Sequence, residues 1–112
     1  MGCVLLTPED IRFELAQVGR ELSKAADAIQ VLEIEAERAE LKAQSDMDKT
    51  YLTAEGSIED RKALAREKAL QSRDAAFVAR AGYNRARAKA KHLELSQMRL
   101  MATLKSIQAE GA

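Results

Sequence analysis

Apolar residues recur along the first half of the chain at alternating spacings of four and three residues. The series begins at Ile11 and continues without a gap to Ala43. This spacing is typical of a long helix that packs one stripe of its surface against a partner helix. The members of this first stripe are Ile11, Leu15, Val18, Leu22, Ala25, Ile29, Leu32, Ala36, Ala39 and Ala43.

The second half of the chain carries a similar stripe, in which small residues dominate the first two thirds. Small side chains allow two helix backbones to approach closely, and Gly19 and Gly82 either serve the same purpose or are tolerated helical glycines. The members of this second stripe are Ala65, Ala69, Ser72, Ala76, Ala79, Tyr83, Ala86, Ala90, Leu93, Gln97, Leu100, Leu104 and Ile107.

Capping signals set the ends of the two helices. Thr7 precedes Pro8, which fits the first position of a helix, and Ser57 follows Gly56 with an acid, Asp60, three residues later. The sequence therefore predicts a flexible N-terminus over 1–7, a helix over 8–52, a turn over 53–57 and a helix over 58–109. The first stripe stops at Asp46, and the weak helix-forming stretch SDMDKTY (45–51) predicts that the first helix ends or bends there.

Two long helices joined by a short turn predict an all-α fold, a long antiparallel two-helix hairpin (coiled coil) that forms a single domain over 8–112. The turn predicts a register in which the numbers of paired residues sum to about 109 or 110. Leu22 should then lie near Arg87, and Val18 near Lys91.

Several large apolar residues fall outside both stripes, and a two-helix hairpin has no second face on which to bury them. One explanation is a homodimer, or higher homo-oligomer, packed as a four-helix bundle. The other is a docking patch for a different protein, above all at the methionine-rich end, because Met suits adaptable binding surfaces. These residues are Val31, Ile34, Leu41, Leu70, Phe77, Val78, Phe13, Leu95, Met98 and Met101.

Composition strengthens the expectation of self-association. The chain has 112 residues, and much of its 46% hydrophobic content is alanine, which buries little area. Residues 1–60 carry 14 acids and 6 bases, and residues 61–112 carry 4 acids and 12 bases, so the net charge of zero is unevenly distributed. Cys3, the single cysteine, cannot form a disulfide within the chain. With no secretion signal or membrane-length apolar run, a cytoplasmic protein is expected.

The stretch RARAKAKH (85–92) is the main candidate for binding nucleic acid. Arg85, Lys89 and His92 fall on one side of the second stripe, where Glu14 and Glu21 of the first helix could pair with them. On the other side lie Arg80, Arg87 and Lys91, and there the first helix offers the uncharged Gly19 and Ala26.

In the predicted register the acidic stretch 33–40 lies opposite 69–76, too far along the hairpin to reach this cluster. Three interpretations remain open: a solvated charged surface, phosphate binding, and pairing with another subunit. Phosphate binding would not be sequence-specific. The candidate residues, called the basic cluster below, are Arg80, Arg85, Arg87, Lys89 and Lys91.

No motif in the sequence predicts catalysis or a cofactor. There is no nucleophile with a nearby base, no glycine-rich phosphate loop, and no ligand spacing for a metal around His92. We therefore expect a protein that is not an enzyme and that has no metal, cofactor, membrane partner or small-molecule substrate.

The segment LTAEGSIEDRKALA (52–65), together with the C-terminal QMRLMATLKSIQAEG (97–111), resembles small helical proteins of tailed bacteriophages that are encoded near recombination and single-strand annealing genes. The resemblance covers the second half of the chain and supplies no catalytic residues. It implies an accessory role in phage DNA metabolism, inside the bacterial host, through protein partners. The alternatives are direct nucleic-acid binding and a structural coiled-coil part of a virion.

Overall fold

The computed structural model describes residues 7–111, and every regular element in that range is a helix. Helix α1 spans Pro8–Thr53, α2 spans Ile58–Lys68 and α3 spans Leu70–Gly111. The all-α antiparallel hairpin predicted from the heptad spacing is confirmed, with its second arm divided into α2 and α3. The predictions for Cys3 and for residues 1–6 of the N-terminus lie outside the described range.

Helix α1 begins with a reciprocal cap. The Asp10 amide donates to Thr7 Oγ1 at 3.2 Å, and the Thr7 amide donates to Asp10 Oδ2 at 3.1 Å. This pair satisfies two amides that the helix itself leaves without acceptors. The pKa of the Asp10 carboxyl is lowered, mainly by the hydrogen bond from the Thr7 backbone.

Helix α1 continues through residues 45–51, where the sequence predicted an end or a bend. Local side-chain hydrogen bonds accompany this stretch: Gln44 Nε2 donates to Asp48 Oδ1 at 2.8 Å, and the Thr50 and Thr53 hydroxyls donate to backbone carbonyls one turn earlier. Weak propensity is thus overridden, and the helix ends at Thr53.

The turn between the arms uses one backbone conformation that favours glycine. Gly56 has a φ of 110°, which a residue with a Cβ rarely adopts. Ser57 then caps α2 by accepting a hydrogen bond from the Asp60 amide at 3.2 Å. Arg61 closes the turn from the other side: its guanidinium donates to the Tyr51 carbonyl at 2.8 and 3.1 Å and lies 4.4 Å from the centre of the Tyr51 ring.

The second arm is interrupted at Ala69, although the sequence predicted a continuous helix from residue 58. Ala69 has φ −90° and ψ 5°, which lies outside the helical range, and its side chain is fully buried. The hydrogen-bond ladder still crosses it, because the Ala69 amide donates to the Ala65 carbonyl and the Arg73 amide donates to the Ala69 carbonyl. Alanine is the best helix former, so propensity gives no sign of this irregularity.

The predicted stripes form the packed surface of the hairpin. Every residue of the first and the second stripe is buried or half-buried, and most residues between them are exposed. The most deeply buried are Ile11, Ala36, Ala43, Ala65, Ala69 and Ala76. Five of these six are alanines, so the core is thin, as the composition predicted.

The hairpin divides into two units, each made of a piece of both arms. Unit 1 contains residues 7–28 and 86–111 of the described chain, and unit 2 contains residues 29–85 with the turn. In unit 2, antiparallel pairing is visible in three contacts: Tyr51 with Arg61, Asp46 with Ser72, and Glu40 with Arg80.

The register of unit 2 differs from the one predicted. The numbers of Tyr51 and Arg61 beside the turn sum to 112, close to the predicted 109 or 110. Those of Asp46 and Ser72 sum to 118 and those of Glu40 and Arg80 to 120, so the prediction is wrong farther from the turn. Side chains on a helix lean toward its N-terminus by about one position, which accounts for the sum of 112 but not for the larger sums.

Neither helical glycine marks a close approach of the two arms. A Cβ built on Gly19 or on Gly82 meets nothing within 4 Å. Both positions therefore behave as tolerated helical glycines within the chain.

Candidate interaction surfaces

All ten apolar residues that lie outside the stripes are exposed. Their relative exposures range from 43% for Ile34 to 76% for Phe77, and Leu52 and Ile58 near the turn join them. Large apolar side chains in contact with water are the expected sign of a surface that another molecule covers. The heptad spacing thus correctly placed these ten residues outside the packed stripes, although Met47 and Leu64, which also lie outside them, are half-buried.

In unit 1, three of these residues share one side of α3. Leu95, Met98 and Met101 follow each other at intervals of three residues and are exposed by 45%, 64% and 51%. Residues three or four apart are neighbours on a helix surface, so the three side chains form one patch. We call it the methionine patch; Phe13, 63% exposed, belongs to α1 of the same unit.

In unit 2, Phe77, the most exposed of the ten residues, lies beside a groove between the two arms. The groove has a volume of about 350 Å³. Its lining contains two buried alanines, one from each arm, with apolar and charged side chains around them. The lining residues are Glu40, Ala43, Gln44, Met47, Arg73, Ala76, Phe77 and Arg80.

One member of the basic cluster, Arg80, forms an ion pair that the sequence did not predict. Arg80 Nε donates to Glu40 Oε2 at 3.2 Å, and Arg80 Nη2 donates to Glu40 Oε1. The hydrogen bond from Arg80 lowers the pKa of the Glu40 carboxyl and raises that of the Arg80 guanidinium. The expectation that 33–40 cannot reach the cluster is therefore wrong, because it rested on the wrong register. The Arg80 guanidinium also lies 5.1 Å from the centre of the Tyr83 ring.

The other members of the cluster differ in their surroundings. Arg87 is exposed and is not without an interaction partner. Arg85, Lys89 and Lys91 are exposed and make no ion pair with any residue in 7–111. Lys89 and Glu21 line the same groove of unit 1, but no ion pair joins them, so the pairing predicted for this side does not form.

Two polar contacts that sequence reasoning missed lie on or beside the stripes. Ser72 Oγ donates to Asp46 Oδ2, and both side chains are half-buried. The first stripe therefore continues through Asp46, which pairs with a polar residue of the other arm. The sequence contained the signal for this pair, because Asp46 follows Ala43 at the expected spacing and Ser72 is a polar member of the second stripe. The second missed contact is that of Arg61 with Tyr51, for which no spacing rule exists.

Among residues 7–111, no three His, Cys, Asp or Glu side chains are grouped so that they could hold a metal ion. His92 is exposed. None of the three helices offers a stretch apolar and long enough to span a bilayer.

No protein-family model matches this chain, and comparison with curated proteins and with solved structures finds no similar protein. The exposed surfaces themselves therefore carry the functional argument.

Proposed function

We propose that this protein is a non-enzymatic helical interaction protein, which binds another protein through exposed apolar side chains in the bacterial cytoplasm. The observation that carries the proposal is the methionine patch. The side chains of Leu95, Met98 and Met101 are exposed to solvent on α3, whereas the neighbouring stripe residues are half-buried between the two arms.

The patch has the form of a helix that binds in a groove. Such helices present apolar anchors at intervals of three and four residues. Two of the three anchors are methionines, whose flexible, polarizable side chains adapt to a partner surface. The partner that fits is an apolar groove or helix of another protein.

The resemblance of residues 52–65 and 97–111 to small helical phage proteins supports an accessory role in phage DNA replication or recombination. Part of the methionine patch, Met98 and Met101, belongs to the C-terminal segment of that resemblance. The net charge of zero favours a protein partner over DNA, because a neutral body attracts phosphate weakly.

The test is quantitative affinity capture from host cells with three baits. The baits are the unmodified protein, a Met98→Glu and Met101→Glu variant, and a Ser106→Glu and Gln108→Glu control that adds the same two charges at exposed positions of α3. We expect a replication or recombination protein that the unmodified and control baits retain and the patch variant loses. Equal capture by all three baits, or no such protein, contradicts the proposal.

Direct nucleic-acid binding remains the second candidate, and Arg85, Lys89 and Lys91 favour it because they are exposed and make no ion pair with a described residue. If these cations contact phosphates, the log of the binding constant for single strands should fall with log salt by about 0.7 for each contact. A Lys89→Gln and Lys91→Gln variant should then lose about two contacts, and a Lys62→Gln and Lys68→Gln control should lose none. A gel-shift titration that shows no complex at about 10 µM DNA and low salt would exclude this candidate.

A further inference from the structure

One side of α3 in unit 2 alternates apolar and cationic residues. Leu70, Arg73, Phe77 and Arg80 follow each other at spacings of three, four and three, which places them on the same side of the helix. Leu70 is 55% and Phe77 is 76% exposed. Arg73 makes no ion pair with any residue in 7–111.

Helix α1 contributes acids to the same side of the hairpin. Glu40 is held there by its ion pair with Arg80. Glu37 lies close enough to Arg80 to raise the pKa of the guanidinium. The surface made by these two acids with Leu70, Arg73, Phe77 and Arg80 is called the Phe77 face below.

The groove in this face suits a further helix. Its buried alanines, Ala43 and Ala76, project little, so a neighbouring backbone can come close. Met47 and Phe77 provide apolar walls beside them. Close approach over small residues, with larger apolar side chains at the sides, is the packing that helix bundles use.

The charges of the Phe77 face make it complementary to itself. On this face α1 carries the acids Glu37 and Glu40, whereas α3 carries the bases Arg73 and Arg80. If a two-fold axis runs parallel to the helices, α1 of each copy lies over α3 of the other, which gives two equivalent contacts. Acids then meet bases in both contacts, and the apolar side chains of both copies are covered.

We propose that the Phe77 face binds a second copy of this chain, with α1 of each copy packed against α3 of the other about a two-fold axis. The proposal concerns unit 2 alone. Its failure is distinguishable from failure of the proposed function, because self-association is measured on the purified protein without any partner.

The first test compares two neighbouring residues of similar exposure. Phe77 is 76% exposed and lies on the proposed face, whereas Val78 is 69% exposed and points about 100° away around the helix. In sedimentation velocity, Phe77→Asp should raise the dimer dissociation constant by on the order of 100-fold, and Val78→Asp should leave it nearly unchanged. Equal dissociation constants for both variants overturn the proposal, as does an unmodified protein that stays monomeric.

The second test reports on the arrangement and does not depend on an apolar substitution. A two-fold axis parallel to the helices keeps every residue at its own height, and the contacts of Asp46 with Ser72 and of Glu40 with Arg80 place Glu37 near the height of Arg80 of the second copy. Glu37→Lys should therefore weaken the dimer, because it brings a lysine toward an arginine across the interface.

The matched control is Glu35→Lys, which makes the same charge change at an exposed position away from the face. It should not alter self-association. If Glu37→Lys leaves the dissociation constant unchanged, or if only the control raises it, the proposed face is wrong. Circular dichroism on every variant verifies that the helices remain.

Discussion

At the scale of single residues, the pair of Asp46 and Ser72 is the least expected feature of the core. A polar pair within an apolar stripe costs stability, but it favours the one register in which both groups have a partner. Ser72→Ala leaves the half-buried Asp46 carboxyl without its donor and should lower the free energy of unfolding by about 1–2 kcal/mol.

Urea denaturation followed by circular dichroism measures that loss. The control is Ser106→Ala at an exposed position of α3, which should change the free energy of unfolding by no more than about 0.5 kcal/mol. Equal effects of the two substitutions would mean that the Asp46 contact contributes nothing to stability.

The ion pair of Glu40 with Arg80 predicts a dependence of stability on pH. The hydrogen bond from Arg80 holds the pKa of the Glu40 carboxyl below its usual value in the folded protein. The pair therefore stabilises the fold fully above the pKa of an ordinary Glu, and this contribution disappears as the pH falls through the lowered folded-state pKa.

Arg80→Gln should accordingly destabilise the protein at pH 7 and have less effect at pH 3, as measured by urea denaturation at both values. Arg99→Gln, at an exposed arginine without an ion pair in residues 7–111, provides the control and should show no such change. A loss in Arg80→Gln that is the same at both pH values would contradict the assigned role of the pair.

At the scale of the helices and the turn, two glycines should respond in opposite ways to the same substitution. Gly56→Ala forces a Cβ into a φ of 110° and should destabilise the protein by about 1 kcal/mol. Gly82→Ala meets no neighbouring atom within 4 Å in the chain and should stabilise the helix by about 0.5–1 kcal/mol. Thermal unfolding separates the two, and a destabilising Gly82→Ala would reveal a close approach from a second copy.

The helices themselves could be predicted from the sequence because each local signal agrees with the others. Thr7 and Ser57 cap where a cap is needed, and every residue that the heptad spacing marks from Ile11 and from Ala65 is buried or half-buried. The register could not be predicted, because counting from the turn assumes two regular helices and the second arm is irregular at Ala69. The contacts of Asp46 and Arg80 followed from that register and were missed with it. The irregular backbone at Ala69 has no signal in its residue type.

At the scale of the whole molecule, the sequence separates packed from exposed residues but does not say what covers the exposed ones. The heptad pattern does not distinguish Phe77 from Met98, because it only places both residues outside the second stripe. The structure distinguishes them: Phe77 borders a groove with alanines and arginines, and Met98 belongs to a patch with Leu95 and Met101. We therefore propose self-association for the first and a partner protein for the second.

The thin alanine core leaves the large apolar side chains outside, and we propose that self-association covers part of them. Sedimentation equilibrium of the unmodified protein over a range of micromolar concentrations tests it directly. We predict a mass approaching twice the 12.3 kDa of one chain as the concentration rises. A constant mass of 12.3 kDa up to about 100 µM, which corresponds to a dissociation constant above about 10⁻⁴ M and hence negligible affinity, would contradict it.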